Sequence, residues 1–363
     1  LEKEKIYSMK TKKQKTFSLM AHGSWLTFFI LLSTSTAQAQ NPQEDKTGIR
    51  VMFYNVENLF HPTDDSLKND DEFTPEGTRA WSYKRYNDKL AKIAKTAIAI
   101  GGWEPPAVIG LCEVENIQCL KDLIYTSPLK QFGYEVIHQE CKDNRGIDVA
   151  FLYRPEHFTF INYHSYELIF PVDHSPTRDI LYMKGLVGKD TLHLFVNHWP
   201  SRYGGQMATE HKRQFAAKTL RQKFDSLMTV NPNANVLAMG DFNDHPDDVS
   251  MSEILGAIKD SAALKKGDLL NLIWQYENIK GTNNYQHEWG ILDQFIISPN
   301  LLFGEGGLIS PSKRAQIFDA DYLLEPESDG VGKTTNRTYV GFTYHGGYAD
   351  HLPIYMDVIV AGE

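Results

Sequence analysis

Ala234-Asn235-Val236-Leu237-Ala238-Met239-Gly240-Asp241-Phe242-Asn243-Asp244 is the stretch on which the reading of the fold turns. Residues 234–240 form a short apolar run typical of a buried strand, and the chain then places a carboxylate, Asp241, and an amide, Asn243, at that strand's C-terminal exit. A Gly-Asp turn alone reads equally well as a strand-to-turn junction with an Asp cap. Its meaning comes from repetition of the pattern elsewhere.

Residues 49–56 alternate, are rich in β-formers and end at Asn55-Val56-Glu57-Asn58. Residues 107–114, bounded by Pro105-Pro106, read as a second buried strand with Glu113 near its end. Further strands are expected at residues 134–138, 147–153, 180–187, 192–198, 291–297 and 353–360. Tyr86, Leu90, Ile93, Ala94, Ala97 and Ile98 fall at helical spacing, which gives an amphipathic helix over residues 83–100 closed by Gly101-Gly102. A longer helix is expected over residues 210–228. Strands outnumber helices, and helices stand between distant strands rather than after each one. That arrangement points to a mixed-sheet α/β sandwich, not a doubly wound Rossmann sheet. No linker divides residues 45–363, so they read as one catalytic domain. Residues 303–349 are Gly-rich, polar and weakly periodic, as expected of a functional loop.

Polar residues recur where these strands begin and end. His198 closes Phe195-Val196-Asn197-His198-Trp199-Pro200, and Asp350-His351 precedes the last strand. Asp293 sits inside an apolar run, where an unpaired charge is costly, so it needs a partner; His351 is the natural choice. Each residue alone is readable as a satisfied core or turn group. Six strand ends bearing Asn55, Glu113, His198, Asp241 with Asn243, Asp293, and Asp350 with His351 are hard to explain by packing.

With Phe53-Tyr54-Asn55-Val56, Leu111-Cys112-Glu113, Asn197-His198-Trp199, Gly240-Asp241-Phe242-Asn243, Ile291-Leu292-Asp293 and Asp350-His351 in this order, the chain resembles the endonuclease/exonuclease/phosphatase family over nearly all of residues 48–360. The resemblance implies a four-layered α/β sandwich in which two mixed sheets pack face to face with helices outside, as in deoxyribonuclease. It implies hydrolysis of a phosphate ester by in-line attack of an activated water. Asn55, Glu113 and Asp350 would hold or orient Mg²⁺, with Mn²⁺ able to substitute, and Asp241 and Asn243 would position and activate water. His351, oriented by Asp293, would serve as base or phosphate contact, and His198 would stabilise or protonate the departing oxygen. Hard cations prefer carboxylate and amide oxygens, which agrees with this donor set. Arg202 and Arg337, close in sequence to His198 and Asp350, are the expected phosphate contacts, and the loop over residues 303–348 is expected to set substrate choice.

A dinuclear metallophosphoesterase reading of Gly240-Asp241-Phe242-Asn243-Asp244 lacks a His-x-His among the 13 histidines. An inactive binding module would show a gap in the six motifs, and none is substituted. Gly332-Lys333-Thr334 lacks the first glycine of a phosphate loop, since Glu327 stands there, and reads as a flexible loop. Asp64-Asp65 and Asp70-Asp71-Glu72 read as a solvated acidic loop.

The chain has 363 residues, 42 % hydrophobic, enough for a substantial core. Cys112, Cys119 and Cys141 are too few for a disulfide framework, and Cys112 reads as a small buried hydrophobe. Lys10, Lys12, Lys13 and Lys15, an apolar run over residues 25–32 and Ala37-Gln38-Ala39 have the plan of a secretory signal peptide. Residues 1–40 are therefore expected to be removed near Ala39, leaving an exported, periplasmic or secreted enzyme. The formal charge of −9 becomes more negative without that basic leader, so nucleic-acid binding requires a local basic face. A nuclease is the leading expectation, with a phosphatase or phosphodiesterase for small molecules or lipid headgroups as the alternative. No protein partner is evident, and a monomer is expected.

Overall fold

A computed structural model gives the structure of the protein over residues 48–362, other than residues 103, 172, 173, 265, 266 and 329. The leader expected over residues 1–40 lies outside the described residues. No helix among the described residues is long and apolar enough to cross a membrane.

The chain opens with β1 (Gly48–Leu59), helix α1 (Tyr83–Gly101), β2 (Val108–Val114), α2 (Ile117–Thr126), β3 (Glu135–His138), β4 (Asp148–Tyr153) and β5 (Thr159–Tyr166). Next come β6 (Ile180–Val187), β7 (Asp190–His198), α3 (Gln206–Val230), β8 (Asn235–Asp241), β9 (Ala257–Ile258) and β10 (Leu269–Asn271). The hairpin β11 (Asn283–Tyr285) and β12 (Glu288–Gly290) leads to β13 (Asp293–Ile297) and the short helix α4 (Asn300–Phe303). The remainder holds β14 (Leu308–Ile309), β15 (Gln316–Ile317), β16 (Leu324–Pro326), β17 (Lys333–Thr335), β18 (Tyr339–Val340), β19 (Thr343–Tyr344) and β20 (Ile354–Val360).

Two seven-stranded sheets result, ordered β14-β20-β1-β2-β4-β3, with β15 also on β20, and β5-β6-β7-β8-β13-β10-β9. Each is built on a parallel pair, β1–β2 or β7–β8, flanked by antiparallel strands. A parallel pair needs a long crossover, and α1 and α3 lie in those two connections. This topology positions the site. The C-terminal ends of β1 and β2 share a sheet edge with the start of the antiparallel β20, and those of β7 and β8 share one with the start of β13.

The inner faces meet through buried Val51, Phe53, Val196, Met239, Phe295 and Met356. On the outer face of the first sheet, Met52, Tyr54 and Leu111 pack on α1 and α2; on that of the second, Phe195, Val236 and Ala238 pack on α3. The order is thus helix, sheet, sheet, helix, the four layers expected. Gly240 is required by strand approach: a Cβ there would lie 2.4 Å from the Asn197 carbonyl oxygen of β7.

The helix α1 matches the sequence expectation. Ser82 Oγ accepts from Arg85 N at its start, and Gly102 at φ 71° donates to the Ile98 carbonyl at its end. Helix α3 begins at Gln206, earlier than residue 210, after the positive-φ Gly205. Helix α2 was not foreseen, although Asn116 Oδ1 caps it by accepting from Cys119 N at 3.0 Å. Residues 303–349 are not structureless but carry the small ladders β16–β17 and β18–β19, with Lys333 paired to Asp321 at 2.9 Å. The acidic stretch differs from a solvated loop at one residue: Asp70 is buried and accepts from Asp65 N.

Candidate functional site

Asn55, Glu113, His198 and Asp241 arrive from the ends of the parallel strands, and Asp293 and His351 from the beginnings of antiparallel ones. In the second sheet the register sets Asp241 opposite both His198 and Asp293. Asp241 Oδ2 stands 3.1 Å from Asn55 Nδ2, 3.7 Å from His198 Nε2 and 3.8 Å from His351 Nε2. Its other oxygen, Oδ1, accepts from Asn243 N at 3.0 Å, and Asn243 Nδ2 donates to the Trp199 carbonyl at 3.0 Å. Asp293 Oδ2 meets His351 Nδ1 at 2.7 Å, so the buried carboxylate has the partner expected of it.

Two of these residues sit in the left-handed backbone region, Glu113 at φ 59° and Asn243 at φ 52°. Asn tolerates that conformation; Glu does so at a cost of order 1–3 kcal/mol. At Glu113 it coincides with a register irregularity between Cys112 and Val114, a bulge that re-aims the carboxylate from the sheet edge. Asn58 N donates to Glu113 Oε2 at 3.0 Å, while Oε1 has Asn55 Nδ2 at 3.5 Å, His198 Nε2 at 3.9 Å and Arg145 Nη2 at 4.0 Å.

The electrostatics separate the two histidines. Burial, reinforced by the charges of Arg178 and Arg145, holds His198 well below its ordinary value and keeps it neutral. Burial opposes protonation of His351 too, but the charges of Asp293 and Asp241 prevail and raise it well above its ordinary value. Burial pushes the Asp241 carboxyl up to about 7, against the pull of His351 and with Asp293 and Glu113 adding to the rise. One site therefore holds a proton acceptor near neutrality, an imidazolium and a neutral imidazole.

Ligand atoms of Asp241, Asp293 and His351 lie within 4.8 Å of one another, all in buried residues, which makes them a candidate metal-binding group. The Nδ1 bond ties His351 to Asp293. The outward ligand atoms next to that pair are carboxylate oxygens of Asp241 and Glu113, a pair suited to a hard divalent cation, while Asn55 turns its Nδ2 to both carboxylates and its Oδ1 accepts from Glu57 N. Asp241 and Glu113 both turn carboxylate oxygens toward His198 Nε2, at 3.7 and 3.9 Å, and a cation between them would neutralise that negative charge.

The remaining expected residues are placed differently. Asp350 Oδ2 accepts from Arg337 Nη2 at 3.0 Å, and Arg337 Nε reaches Glu57 Oε1 at 3.3 Å, so both belong to a network beside Asn55. Arg202 is a clamp: its guanidinium donates to the Asn243 carbonyl at 2.8 Å and to Asp248 Oδ2 at 2.6 Å, which occupies the fork expected to bind phosphate. Sequence reasoning missed Arg145, on the turn between β3 and β4, because a turn arginine carries no periodic signal. It also missed buried Glu57, Lys89 and Arg178. Glu57 was the most findable, two residues beyond Asn55. Lys89 donates to Thr338 Oγ1 at 2.5 Å, and burial lowers it to about 8. Arg178 donates to Asp143 and to the Trp199 carbonyl.

Residues 50–359 match the model of the Endonuclease/Exonuclease/phosphatase family. Among curated proteins none matches the chain at a significant level. Similar solved structures include the human Nocturnin catalytic domain, at TM-score 0.51 and 15 % identity over 87 % of this chain and 96 % of that one. D. rerio TDP2 complexed with a single-strand DNA product gives TM-score 0.51 and 14 % identity over 86 % and 98 %. The Bacteroides thetaiotaomicron mannosyl-6-phosphatase Bt3783 gives TM-score 0.51 and 17 % identity over 86 % and 99 %. At such identities the structures establish the shared fold, and the sequence match establishes kinship: the chain belongs to the endonuclease/exonuclease/phosphatase family of phosphoester hydrolases.

Proposed function

We propose that the chain is a metal-dependent phosphodiesterase, with nucleic-acid strands among its candidate substrates and water as the nucleophile. The observation that carries this reading is the placement of Asp241 Oδ2 between the Nε2 atoms of His198 and His351, at 3.7 and 3.8 Å. Asp241 Oδ2, facing the space between the two imidazoles, can take a proton from an attacking water. Asn243 N fixes its other oxygen. Imidazolium His351, held by Asp293, donates to a phosphoryl oxygen, and neutral His198 donates to the departing oxygen on the opposite flank. A divalent cation held by Glu113 beside Asp241 would stabilise charge developing on the phosphoryl group. Asp350, whose Oδ2 accepts from Arg337 Nη2 at 3.0 Å, would add a further ligand on release from that arginine.

The diester preference rests on which arginine and lysine side chains remain available beside the imidazolium of His351. Arg145 is half-exposed and 4.0 Å from Glu113, whereas Arg337 already spans Asp350 and Glu57 and Lys89 is buried. One available arginine suits the single negative charge of a diester better than a monoester dianion. Steady-state assays of the full chain with Mg²⁺ test the reading on bis-nitrophenyl phosphate, nitrophenyl phosphate, single-stranded DNA and RNA. Faster turnover of the monoester than of every diester would reject it.

A second reading, hydrolysis of a small phosphate ester, is favoured by a cleft of about 580 Å³. Its wall includes Leu352, next to His351, Gly290 and Ile291, just before Asp293, and the indole of Trp289. Export through the leader is part of the same proposal, and fractionation of expressing cells tests it.

A further inference from the structure

A second constellation of metal-ligating side chains lies on the β3–β4 hairpin. In the ladder His138 stands opposite Ala150, so Asp148, two residues earlier on β4, projects from the same face. Glu140, two residues beyond His138, continues the alternation. The three ligand atoms lie within 4.8 Å of one another, with His138 Nε2 2.9 Å from Asp148 Oδ2. The side chains of His138 and Asp148 are 3 % and 1 % exposed. Asp148 is oriented from behind, since its Oδ1 accepts from Cys141 N at 3.0 Å and leaves Oδ2 directed at the imidazole. Glu140, the exposed member of the three, also lines a surface cleft of about 570 Å³ with Gln139, Lys142 and Tyr163.

We propose that His138, Glu140 and Asp148 form a binding site for a borderline divalent transition ion such as Zn²⁺, distinct from the Mg²⁺-type site at Glu113. One imidazole nitrogen and two carboxylates suit Zn²⁺, whereas the carboxylate oxygens of Glu113 and Asp241 suit a harder ion. The rigid ladder supplies the geometry and the Cys141 amide supplies the supporting contact that metal sites need. The site closes the turn over residues 141–147, and that turn presents Arg145 to Glu113. Metal there therefore fixes the arginine that the diester reading uses, without touching the reacting atoms. Lys68 Nζ, 4.0 Å from Glu140 Oε2 and donating to the Cys141 carbonyl at 3.1 Å, is the group an incoming ion displaces from Glu140.

The test is Zn²⁺ affinity of the full chain, measured by competition with a chromophoric chelator. An Asp241→Asn background disables the other buried Asp/His group. One Zn²⁺ is expected to bind, about 100-fold more weakly in His138→Ala and in Glu140→Gln and severalfold more tightly in Lys68→Met. Hydrogen exchange over residues 141–147 is expected to slow on Zn²⁺ addition only where both His138 and Glu140 are intact. Glu140→Gln, at a partly exposed position, serves should His138→Ala fail to fold. Absence of Zn²⁺ binding, or equal affinity across the variants, overturns the proposal, and neither result depends on phosphate-ester turnover.

Discussion

Replacing Asp293 by Asn keeps the shape of the side chain and removes its charge from a 2.7 Å bond to His351 Nδ1, with both residues buried. A hydrogen bond to a charged group is worth about 1.5–3 kcal/mol, and about 1.4 kcal/mol is a tenfold change in rate. Loss of the bond alone thus removes about 10- to 150-fold, and an imidazole free to take the wrong tautomer adds to the loss. The expected result for Asp293→Asn is a fall of about 10²-fold in kcat on bis-nitrophenyl phosphate, with KM little changed. His351→Ala should fall at least as far, and the double variant little further, as for groups acting as a unit. The pH profile gives a readout that a merely structural role would not move. Asp293 raises His351, so its removal should shift the alkaline limb of kcat/KM to lower pH in a reaction that needs the imidazolium. Losses that add in the double variant, or an unshifted limb, would refute the pairing.

Gly240→Ala places a Cβ 2.4 Å from the Asn197 backbone oxygen; chemical denaturation should show a loss of about 1–3 kcal/mol, and an unchanged midpoint would contradict the packing. Arg145→Ala should raise KM for a diester while leaving Mg²⁺ affinity unchanged, whereas Arg202→Ala should lower the melting temperature through the loosened Asn243–Asp248 turn. Burial, with the charge of Lys184, lowers His193 to about 4, and its Nδ1 lies 2.8 Å from Tyr182 Oη. A depressed histidine contributes stability above its unfolded value of about 6.5 that is lost as pH falls toward 4, here about 1–2 kcal/mol after allowance for partial exposure. Urea denaturation at pH 7 and 4.5 should therefore show a smaller pH effect in His193→Gln than in the parent chain.

The strands that position the site were legible because they are buried on both faces and read as unbroken apolar runs, as β7, β8 and β13 do. Strand β5 was not, because it lies at a sheet edge with most of its residues exposed and carries no such run. Pairing of Asp293 with His351 followed from the cost of a lone buried charge. Which arginine faces the site did not follow: Arg202 lies four residues from His198 yet turns back on Asp248, while Arg145 reaches Glu113 across 32 residues of sequence. Proximity along the chain is a poor guide to groups carried by turns, whose direction is set by tertiary contacts.

The most direct measurement of the central claim is single-turnover hydrolysis of bis-nitrophenyl phosphate by the full chain and by Asp241→Asn, each with EDTA and then with excess Mg²⁺. The parent should be silent in EDTA and recover with Mg²⁺, and Asp241→Asn should lose about 10³-fold in the Mg²⁺ reaction while remaining folded by circular dichroism. Hydrolysis that persists in EDTA, or an Asp241→Asn variant as fast as the parent, would contradict a metal-assisted reaction centred on Asp241.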